Sequence, residues 1–347
     1  MAERSWLVLA DGFLEERDAK TAHGVIRYSR DTIAAILDRD HAGRDIQEVM
    51  PELNRSAPIV ASVEEGLAHK PTALLLGVAT PGGWLPPEWR KWILEAIDAD
   101  LEIVNGLHTM LNDDPEFVEH AQKRGVRLWD VRQPPPNIPL FSGKSLEIPQ
   151  RVVATVGSDC AVGKKTTAIE IANAGRASGV NTEFIATGQT GVLIAGKGIA
   201  VDRVIADFLA GAAEKLVCDA EPDSEVLIVE GQGSLWHPAY AAVTLGLLHG
   251  SAPEVLVLCH QHGRAAIEEP PFTKLPPLTE MIAVYEQMAS TVRPAKVACI
   301  SLNCKHLDPA QQKAAIAEVE DDTGLPVGDV WSGDGQKLWD AVATVLA

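Results

Sequence analysis

A stretch near the middle of the chain, VATVGSDCAVGKKTT from Val153 to Thr167, has the residue types of a phosphate-binding loop. A predicted strand runs into a turn with Gly157 and Gly163, and a predicted helix follows the turn. The first N–H groups of such a helix have no partner within the helix, its dipole favours an anion, and Lys164 can reach a phosphate. The pattern therefore predicts phosphate binding, with a plain strand–turn–helix connection as the alternative. The predicted binding residues are Gly157, Ser158, Asp159, Cys160, Ala161, Val162, Gly163, Lys164, Lys165, Thr166 and Thr167.

One position departs from the usual loop pattern, in which Ser or Thr follows the Gly-Lys pair directly and its hydroxyl holds Mg²⁺. Lys165 occupies that position, and Thr166 or Thr167 could supply the hydroxyl only if the helix shifted its register. Two lysines and backbone amides can neutralise a pyrophosphate without a metal ion, whereas ATP chemistry needs the ion. Lys165 therefore favours a loop that holds the pyrophosphate of an acyl-CoA, unless its side chain points to solvent. ATP with Mg²⁺ is the alternative ligand.

The loop and two later segments resemble a branch of the P-loop fold that includes dethiobiotin synthetase. GSDCAVGKKTT resembles the loop GTDTxVGKT of that branch, and LIVEGQGS, which begins at Leu227, resembles VEGAGG. In the relatives the Glu of VEGAGG helps to hold Mg²⁺ at the end of a strand, so the resemblance implies that Glu230 lies near the phosphates. The segment ISLN ends in Asn303, which the resemblance places against adenine. A turn residue is the alternative for Asn303.

Longer segments look like a bacterial P-loop family long known only as a domain of unknown function. They are DAKTAHGVIRYS, LDRDHAG, IVNGLHTMLNDD, DVRQPP, GSDCAVGKKTT, GQTGVLIAGKGIAVDRVIADFLAGAAE and GQGSLWHPAY, in this order along nearly the whole chain. One activity described in that family is D-glutamate N-acetyltransferase, which acts with an enolase-superfamily racemase in D-glutamate catabolism. The resemblance implies transfer of the acetyl group of acetyl-CoA to the amino group of D-glutamate. An ATP- and Mg²⁺-dependent ligase or kinase, and a nucleotide-binding regulator without enzymatic activity, are the alternatives.

Acetyl transfer to an amine needs a base that takes a proton from the amino group. Glu230 and His237 are the two candidates, because we expect both of them to lie close to the loop. The pKa of an unperturbed histidine lies near the working pH, although a histidine after Trp is more often structural. Cys160 could carry an acetyl group on its thiol, but the small residue that the loop requires explains this cysteine equally well.

The two carboxylates of glutamate need cations, and the segment GQTGVLIAGKGIAVDR from Gly188 to Arg203 offers two. Lys197 and Arg203 are the candidate cations, while Gln189 and Thr190 are candidate hydrogen-bond donors. For Arg203 the alternative is a solvated residue in the first turn of a helix. A long Pro-rich connection, HGRAAIEEPPFTKLPP, comes later in the chain, and long connections are often functional.

Apolar strand-like runs alternate with helix-like segments in both halves of the chain, which is typical of parallel α/β sheets. We predict an N-terminal Rossmann-like α/β domain over residues 1–135 and a P-loop, dethiobiotin-synthetase-like α/β domain over residues 151–347. The Pro-rich residues 136–150 between them are predicted to form a linker.

The formal net charge of −18 argues against a nucleic-acid partner, because such a partner requires a basic face. The five cysteines form no Cys-x-x-Cys pair, and the histidines are scattered, so we predict neither disulfides nor a metal site. The apolar run from Trp6 to Ala10 is shorter than a signal peptide requires, and no apolar run is long enough to cross a membrane. We therefore expect a cytoplasmic protein without a membrane partner, and a homo-oligomer, with a dimer as the default.

Overall fold

The computed structural model describes residues 3–269 and 271–347. Pro270, in the Pro-rich connection named above, lies outside the described residues. The strands are β1 (Ser5–Leu9), β2 (Thr32–Leu37), β3 (Ile59–Val60), β4 (Ala73–Leu76), β5 (Glu102–Asn105), β6 (Leu128–Asp130), β7 (Arg151–Gly157), β8 (Thr182–Ile185), β9 (Val226–Val229), β10 (Val255–Gln261), β11 (Lys296–Asn303) and β12 (Val327–Gly328). The α-helices are α1 (Lys20–Tyr28), α2 (Ile46–Val49), α3 (Val63–Leu67), α4 (Trp89–Asp98), α5 (Pro115–Arg124), α6 (Lys164–Ala177), α7 (Gln189–Ala195), α8 (Ala206–Cys218), α9 (Ala241–Ser251), α10 (Leu278–Ala289), α11 (Pro309–Thr323) and α12 (Gly335–Leu346).

The chain divides into two compact units. Unit 1 takes the described residues of Met1–Gln133 together with Gln189–Arg203, and unit 2 takes Pro134–Gly188 and Val204–Ala347. Each unit has one parallel sheet, of six strands, that is covered by helices. The two parallel α/β sheets confirm the predicted fold class.

The sheet of unit 1 has the strand order β3-β2-β1-β4-β5-β6. Its strands are buried on both faces, which explains why TALLLGVA reads as a continuous apolar run around β4. The order reverses between β1 and β4, and the carboxyl ends of parallel strands next to such a reversal are where ligands bind in this class of fold. Helix α5 begins where the Asp114 side chain accepts from the backbone N–H groups of Glu116 and Phe117, and it ends at Gly125 in the left-handed conformation.

The sheet of unit 2 has the order β12-β11-β10-β7-β9-β8, with β7 between β10 and β9. Since all of these pairs are parallel, the segments that follow β7, β9, β10 and β11 lie at the same edge of the sheet. The predicted phosphate loop follows β7, and Glu230 follows β9. The topology therefore positions the loop, Glu230 and the segment after Asn303 at one edge.

The Pro-rich segment that the sequence predicts as a linker packs against α8 of unit 2. The buried Glu214 of α8 accepts hydrogen bonds at Oε2 from the backbone N (2.9 Å) and from Oγ (2.8 Å) of Ser142. Gly211 permits the close approach, because a Cβ atom at this position would lie 1.8 Å from the carbonyl oxygen of Pro139. Residues 136–150 thus belong to the body of unit 2 and differ from the free spacer that their composition predicts.

The segment Gln189–Arg203 also differs from the sequence prediction, which assigned it to the P-loop domain. Helix α7 in this segment packs on α1, and the hydroxyls of Thr190 and Thr21 lie 3.2 Å apart in the buried contact. Gln189 lies beside Gly106 of the same unit, since a Cβ atom there would lie 3.2 Å from Cγ of Gln189. These contacts assign the predicted substrate segment to unit 1.

None of the helices in the described part of the chain is both long and apolar enough to cross a membrane.

Candidate functional site

The predicted phosphate loop has the expected strand, turn and helix. Strand β7 ends at Gly157, and α6 begins at Lys164 directly after Gly163, whose φ of 114° is in the left-handed region. Gly157 faces Val162 so closely that a Cβ atom would lie 2.9 Å from its Cγ2. At Gly231, after β9, a Cβ atom would lie 1.9 Å from the carbonyl oxygen of Thr155. Both positions therefore require glycine, because any larger residue would fill the space around the loop. We call this space, bordered by Gly157 and Gly231, the cradle.

Lys164 is folded into this cradle. Its Nζ donates a 2.7 Å hydrogen bond to the carbonyl oxygen of Asp159, and its side chain is buried. Burial lowers the pKa of Lys164, while the neighbouring Cys160, Cys259, Asp159 and Glu230 act to raise it. A buried ammonium group against the main chain of the loop fits a negatively charged ligand, because a phosphate would offset the cost of its desolvation.

The carboxylate of Asp159 is held by three donors. Its Oδ2 accepts from Nη1 of Arg264 at 2.5 Å and from the backbone N of Glu268 at 2.9 Å, and its Oδ1 accepts from the backbone N of Cys160 at 2.6 Å. Asp159 therefore ties the loop to the Pro-rich connection after β10. Sequence analysis noted that connection for its length but did not single out Arg264, because only the folded chain brings it to the loop.

A second group of side chains surrounds the thiol of Cys160. One ligating atom each from Asp159, Cys160 and His237 lie within 4.8 Å of one another. Nδ1 of the buried His237 accepts a 3.3 Å hydrogen bond from the backbone N of Ala239, so the proton of the neutral ring is on Nε2. This arrangement has the donor types of a metal site, but the guanidinium of Arg264 against Asp159 opposes a cation there.

The carboxylate of Glu230 is engaged with the backbone. It is buried, and its Oε2 accepts hydrogen bonds from the N–H groups of Thr187 (2.9 Å) and Gly188 (3.0 Å). The hydroxyl of Thr187 in turn donates to the carbonyl oxygen of Glu230 at 2.6 Å. Glu230 thus fixes the turn that leads from β8 to Gln189, and it is also close enough to Lys164 to affect its charge.

The hydroxyl residues of the loop have unequal surroundings. Oγ1 of Thr167 lies 2.8 Å from Oγ of Ser301 in the buried layer below the loop. Thr166 is buried, Lys165 is half-buried and Ala161 is exposed. Oγ of Ser158 lies 2.8 Å from Nδ1 of His260. The hydroxyl of Thr167 is therefore already committed to the core in this arrangement.

The histidine below the loop is held neutral. Burial lowers the pKa of His260 to about 4, and the positive charges of Arg264 and His262 act in the same direction. A neutral ring can share a hydrogen bond with the hydroxyl of Ser158 in either direction. His260 is therefore a supporting residue of the loop that sequence analysis did not predict as part of the site.

Asn303 has a local partner at the end of β11. Its Oδ1 accepts a 3.2 Å hydrogen bond from the backbone N of Lys305, two residues later, and its carbonyl oxygen accepts from the N of His262 at 3.1 Å. The first contact is the pattern of an Asx turn. The structure therefore gives Asn303 the turn role that was the alternative, and its contact with adenine stays a prediction.

Unit 1 has a cationic cluster of its own. Arg132, which is buried after β6, donates from Nε to the carbonyl oxygen of Gly106 at 2.7 Å and pairs through Nη1 with Asp202. Arg203 donates to the carbonyl oxygen of His108 at 3.0 Å, and Nε2 of His108 lies 3.7 Å from Oδ2 of Asp202. Burial, followed by the charge of Arg132, lowers the pKa of His108. Arg132 thus pairs with Asp202, while Arg203 is held against the main chain at His108.

Of the four predicted substrate residues, Arg203 is part of this cluster. Gln189 and Thr190 are buried in α7, whereas Lys197 is exposed in the turn that follows it. Arg132 and His108 were not singled out, although both lie in segments, DVRQPP and IVNGLHTMLNDD, that carry the family resemblance. The signal was therefore present in the motifs, but it needed the fold to show that the two residues meet.

A cavity of about 520 Å³ in unit 2 lies away from these residues. It is open and lies at the amino ends of β7, β10 and β11, opposite the phosphate loop. Its lining residues are Ile148, Pro149, Gln150, Arg151, Glu254, Val255, Arg293, Pro294, Lys296 and Val345. The candidate site is the loop rather than this cavity, because the glycines, the cations and the N-terminus of α6 are at the other edge of the sheet.

Relatives with assigned names match most of the chain. The chain is 39% identical over 285 residues to a D-glutamate N-acetyltransferase of Tritonibacter scottomollicae, covering 82% of this chain and 85% of the relative. It is 39% identical over 256 residues to a D-glutamate N-acetyltransferase of a Pseudoalteromonas species, covering 74% of this chain and 76% of the relative.

A solved structure and two family models match the fold. The crystal structure of a DUF1611 family protein from Anabaena variabilis is similar with a TM-score of 0.94 and 39% sequence identity, covering 99% of this chain and 100% of that one. Residues 39–134 match the Rossmann-like domain DUF1611_N, a domain of unknown function. Residues 139–339 match the P-loop domain DUF1611_C, also a domain of unknown function. The chain therefore belongs to the DUF1611 family, with an N-terminal Rossmann-like domain and a C-terminal P-loop domain.

Proposed function

We propose that the protein is an N-acetyltransferase that moves the acetyl group of acetyl-CoA to the amino group of D-glutamate. The observation that carries the proposal is the 39% identity to relatives named D-glutamate N-acetyltransferase, over 82% and 74% of this chain. Acetyl-CoA, when bound, supplies a thioester carbonyl that an amine can attack. The residues of the chain must then hold the donor, hold the carboxylates of the acceptor and remove a proton from its ammonium group.

The phosphate loop of unit 2 fits the pyrophosphate of the donor. The glycine cradle, the N-terminus of the 14-residue α6 and the buried ammonium of Lys164 supply donors and positive charge. Lys165 adds a second positive charge, and the hydroxyl of Thr167 is engaged with Ser301. These features support a ligand whose phosphates are bound without being transferred.

Arg132 and Arg203 of unit 1 are our candidates for holding the carboxylates of the acceptor. Guanidinium groups bind carboxylates through paired hydrogen bonds; Arg132 is paired here with Asp202, and Arg203 donates to the carbonyl oxygen of His108. In a chain with a net charge of −18, a local excess of positive charge is what an anionic amino acid requires.

The position of the base depends on the conformation of the donor. The pantetheine arm joins the pyrophosphate to the thioester over roughly 16 Å when it is extended, from standard bond lengths. Glu230 and His237 both lie at the phosphate loop, so a base role for either of them requires the arm to fold back toward the loop. The same distance argues against an acetyl group on Cys160, and we propose direct transfer to the amine.

The roles of Glu230 and His237 separate in steady-state kinetics. Removal of the base lowers kcat, whereas removal of a group that holds the phosphate end of the donor raises KM for acetyl-CoA. We expect Glu230→Gln or His237→Ala to lower kcat at pH 7–9. If both variants keep the turnover of the wild type, neither residue is the base.

The direct test is to mix the purified protein with acetyl-CoA and D-glutamate and to measure released CoA thiol and N-acetylglutamate by mass spectrometry. L-glutamate and D-aspartate in parallel reactions report the selectivity for the acceptor.

We expect Arg132→Lys to raise KM for D-glutamate by at least about tenfold, because a lysine cannot make paired hydrogen bonds. Arg30→Lys, at an exposed position of unit 1, is the matched control. If the wild type transfers an acetyl group to none of these three acceptors, the proposed function is refuted.

A further inference from the structure

Three consecutive strands on one side of the phosphate loop end in basic or aromatic residues. His262 follows β10, Lys305 and His306 follow β11, and Trp331 lies in the 3-10 helix Val330–Ser332 after β12. Because β7, β10, β11 and β12 are neighbours in a parallel sheet, all of these residues lie at the edge that carries the phosphate loop. None of them has a role in the function proposed above.

Contacts link this group directly to the loop. A Cβ atom on Gly163 would lie 3.9 Å from Nε1 of Trp331, so the indole borders the last residue of the loop. Nζ of Lys305 lies 3.6 Å from the centroid of the Trp331 ring. The indole ring of Trp331 therefore lies between the ammonium group of Lys305 and Gly163 of the loop.

The two histidines enlarge the basic group. Their rings are stacked with centroids 5.9 Å apart, and the backbone N of His262 donates to the carbonyl oxygen of Asn303 at 3.1 Å. Nδ1 of His262 is buried and makes no hydrogen bond to the described residues. A buried ring nitrogen without a partner is costly, and a ligand oxygen would satisfy it.

A buried acid, Asp329, lies beside this group. Asp329 accepts hydrogen bonds from the backbone N–H groups of Trp331 (2.9 Å) and Cys304 (3.1 Å), so its carboxylate is turned inward. Burial raises the pKa of Asp329, and the charge of Lys305 acts to lower it. The outer surface of the group thus presents Lys305 and His306, both exposed, in a chain of net charge −18.

From this arrangement we infer that Lys305, with His262 and His306, binds a phosphate on the ribose of the ligand whose pyrophosphate occupies the loop. In coenzyme A the 3′-phosphate lies about 7 Å from the nearer phosphate of the pyrophosphate, from standard bond lengths, which matches a site one indole ring from Gly163. ATP has no such phosphate, so the group selects the 3′-phosphorylated nucleotide. The inference rests on the proposed function, which makes acetyl-CoA the donor.

Isothermal titration with CoA and 3′-dephospho-CoA tests the inference on the full-length protein. We expect the wild type to bind CoA at least about tenfold more tightly, as one charge-assisted contact implies. Lys305→Ala should reduce the preference to less than about threefold while its affinity for 3′-dephospho-CoA stays that of the wild type. Lys305→Arg should keep the preference, and Lys313→Ala, at an exposed lysine of α11, is the matched control.

Equal binding of the two ligands by the wild type would overturn the inference while leaving the proposed function intact. An equal loss of affinity for both ligands in Lys305→Ala would also overturn it, because Lys305 would then contact a part that the ligands share. Binding of neither ligand by the wild type would instead refute the proposed function. The unfolding midpoint of each variant, measured beside the titrations, shows that any lost affinity is not a loss of folding.

Discussion

Lys165 occupies the position of the phosphate loop where a hydroxyl usually holds Mg²⁺. Sequence analysis identified this residue as the departure from the usual pattern. The structure adds that the hydroxyl of Thr167 is bonded to Ser301, so it cannot take over the role without leaving that contact. A metal-independent pyrophosphate site stays our proposal for the loop.

We predict that Lys165→Thr weakens binding of acetyl-CoA by about tenfold, through loss of one charge-assisted contact, and creates Mg²⁺-dependent binding of ATP. Titration calorimetry with each ligand, with and without Mg²⁺, measures both effects. Lys165→Met is the control, since it removes the charge without adding a hydroxyl and should weaken acetyl-CoA alone. Unchanged affinities for both ligands in Lys165→Thr would show that the side chain does not contact the ligand.

Gly231 is the residue whose replacement should damage the site most. We predict that Gly231→Ala lowers the free energy of unfolding by about 2 kcal/mol or more, because the new Cβ atom would lie 1.9 Å from the carbonyl oxygen of Thr155. Urea unfolding and acetyl-CoA titration are the measurements. Gly335→Ala in the first turn of α12, where the nearest atom to the new Cβ is 3.4 Å away, should be neutral or slightly stabilising. A Gly231→Ala variant as stable as the wild type would contradict the tight cradle.

Among the elements, β10 supports the phosphate loop through the side chain of His260 at its carboxyl end. The imidazole lies 2.8 Å from Oγ of Ser158, and burial lowers the pKa of this histidine to about 4. The unfolded chain binds a proton at this residue below about pH 6.5, whereas the folded chain does so only near pH 4. Between these values the unfolded state holds more protons, so the stability that depends on neutral His260 is complete above pH 6.5 and is lost as the pH falls toward 4.

We therefore predict that, between pH 7 and pH 4.5, the free energy of unfolding falls by roughly 2–3 kcal/mol less in His260→Gln than in the wild type. Urea unfolding at several pH values in this range is the measurement. His69→Gln, at an exposed position of unit 1, should keep the slope of the wild type. If His260→Gln has the same slope as the wild type, the histidine titrates equally in the folded and unfolded chains.

The elements also show where prediction from the sequence ends. The strand and the helix on either side of the phosphate loop, β7 and α6, were predicted because a local pattern determines them. Helix α9 was missed because AAVTLGLLHGS is apolar around most of its circumference and has no helical period. Helix α7 was not predicted, because its segment, GQTGVLIAGKG, is rich in glycine.

Within the candidate site, sequence analysis identified the residues that lie in one continuous motif. The phosphate loop and Glu230 were predicted, and both lie at the carboxyl edge of the sheet of unit 2. Arg264, Arg132 and His260 were not predicted, because each reaches its partner across a large separation in the chain. The packing of Gln189–Arg203 with unit 1 likewise depends on contacts with α1 that no local pattern encodes.

The whole molecule is acidic, yet each unit has a local group of cations. Unit 2 has Lys164, Lys165 and Arg264 at the phosphate loop, and unit 1 has Arg132 and Arg203, which contact Asp202 and His108 respectively. With a net charge of −18, the remaining surface repels polyanions such as nucleic acids. Anionic small molecules are therefore the ligands that the charge distribution favours. A homo-oligomeric state and a cytoplasmic location stay predictions.

Thermal unfolding of the full-length protein with acetyl-CoA, with ATP, and with ATP plus Mg²⁺ compares the two ligand classes directly. A ligand that binds the folded state stabilises it by mass action, by about 2.7 kcal/mol at a hundredfold excess over its dissociation constant. We predict that acetyl-CoA raises the midpoint by roughly 5 °C at such an excess, while ATP has a smaller effect that Mg²⁺ does not increase. A midpoint raised by ATP with Mg²⁺ but not by acetyl-CoA would contradict the proposed acetyltransferase and favour the ATP-dependent alternative.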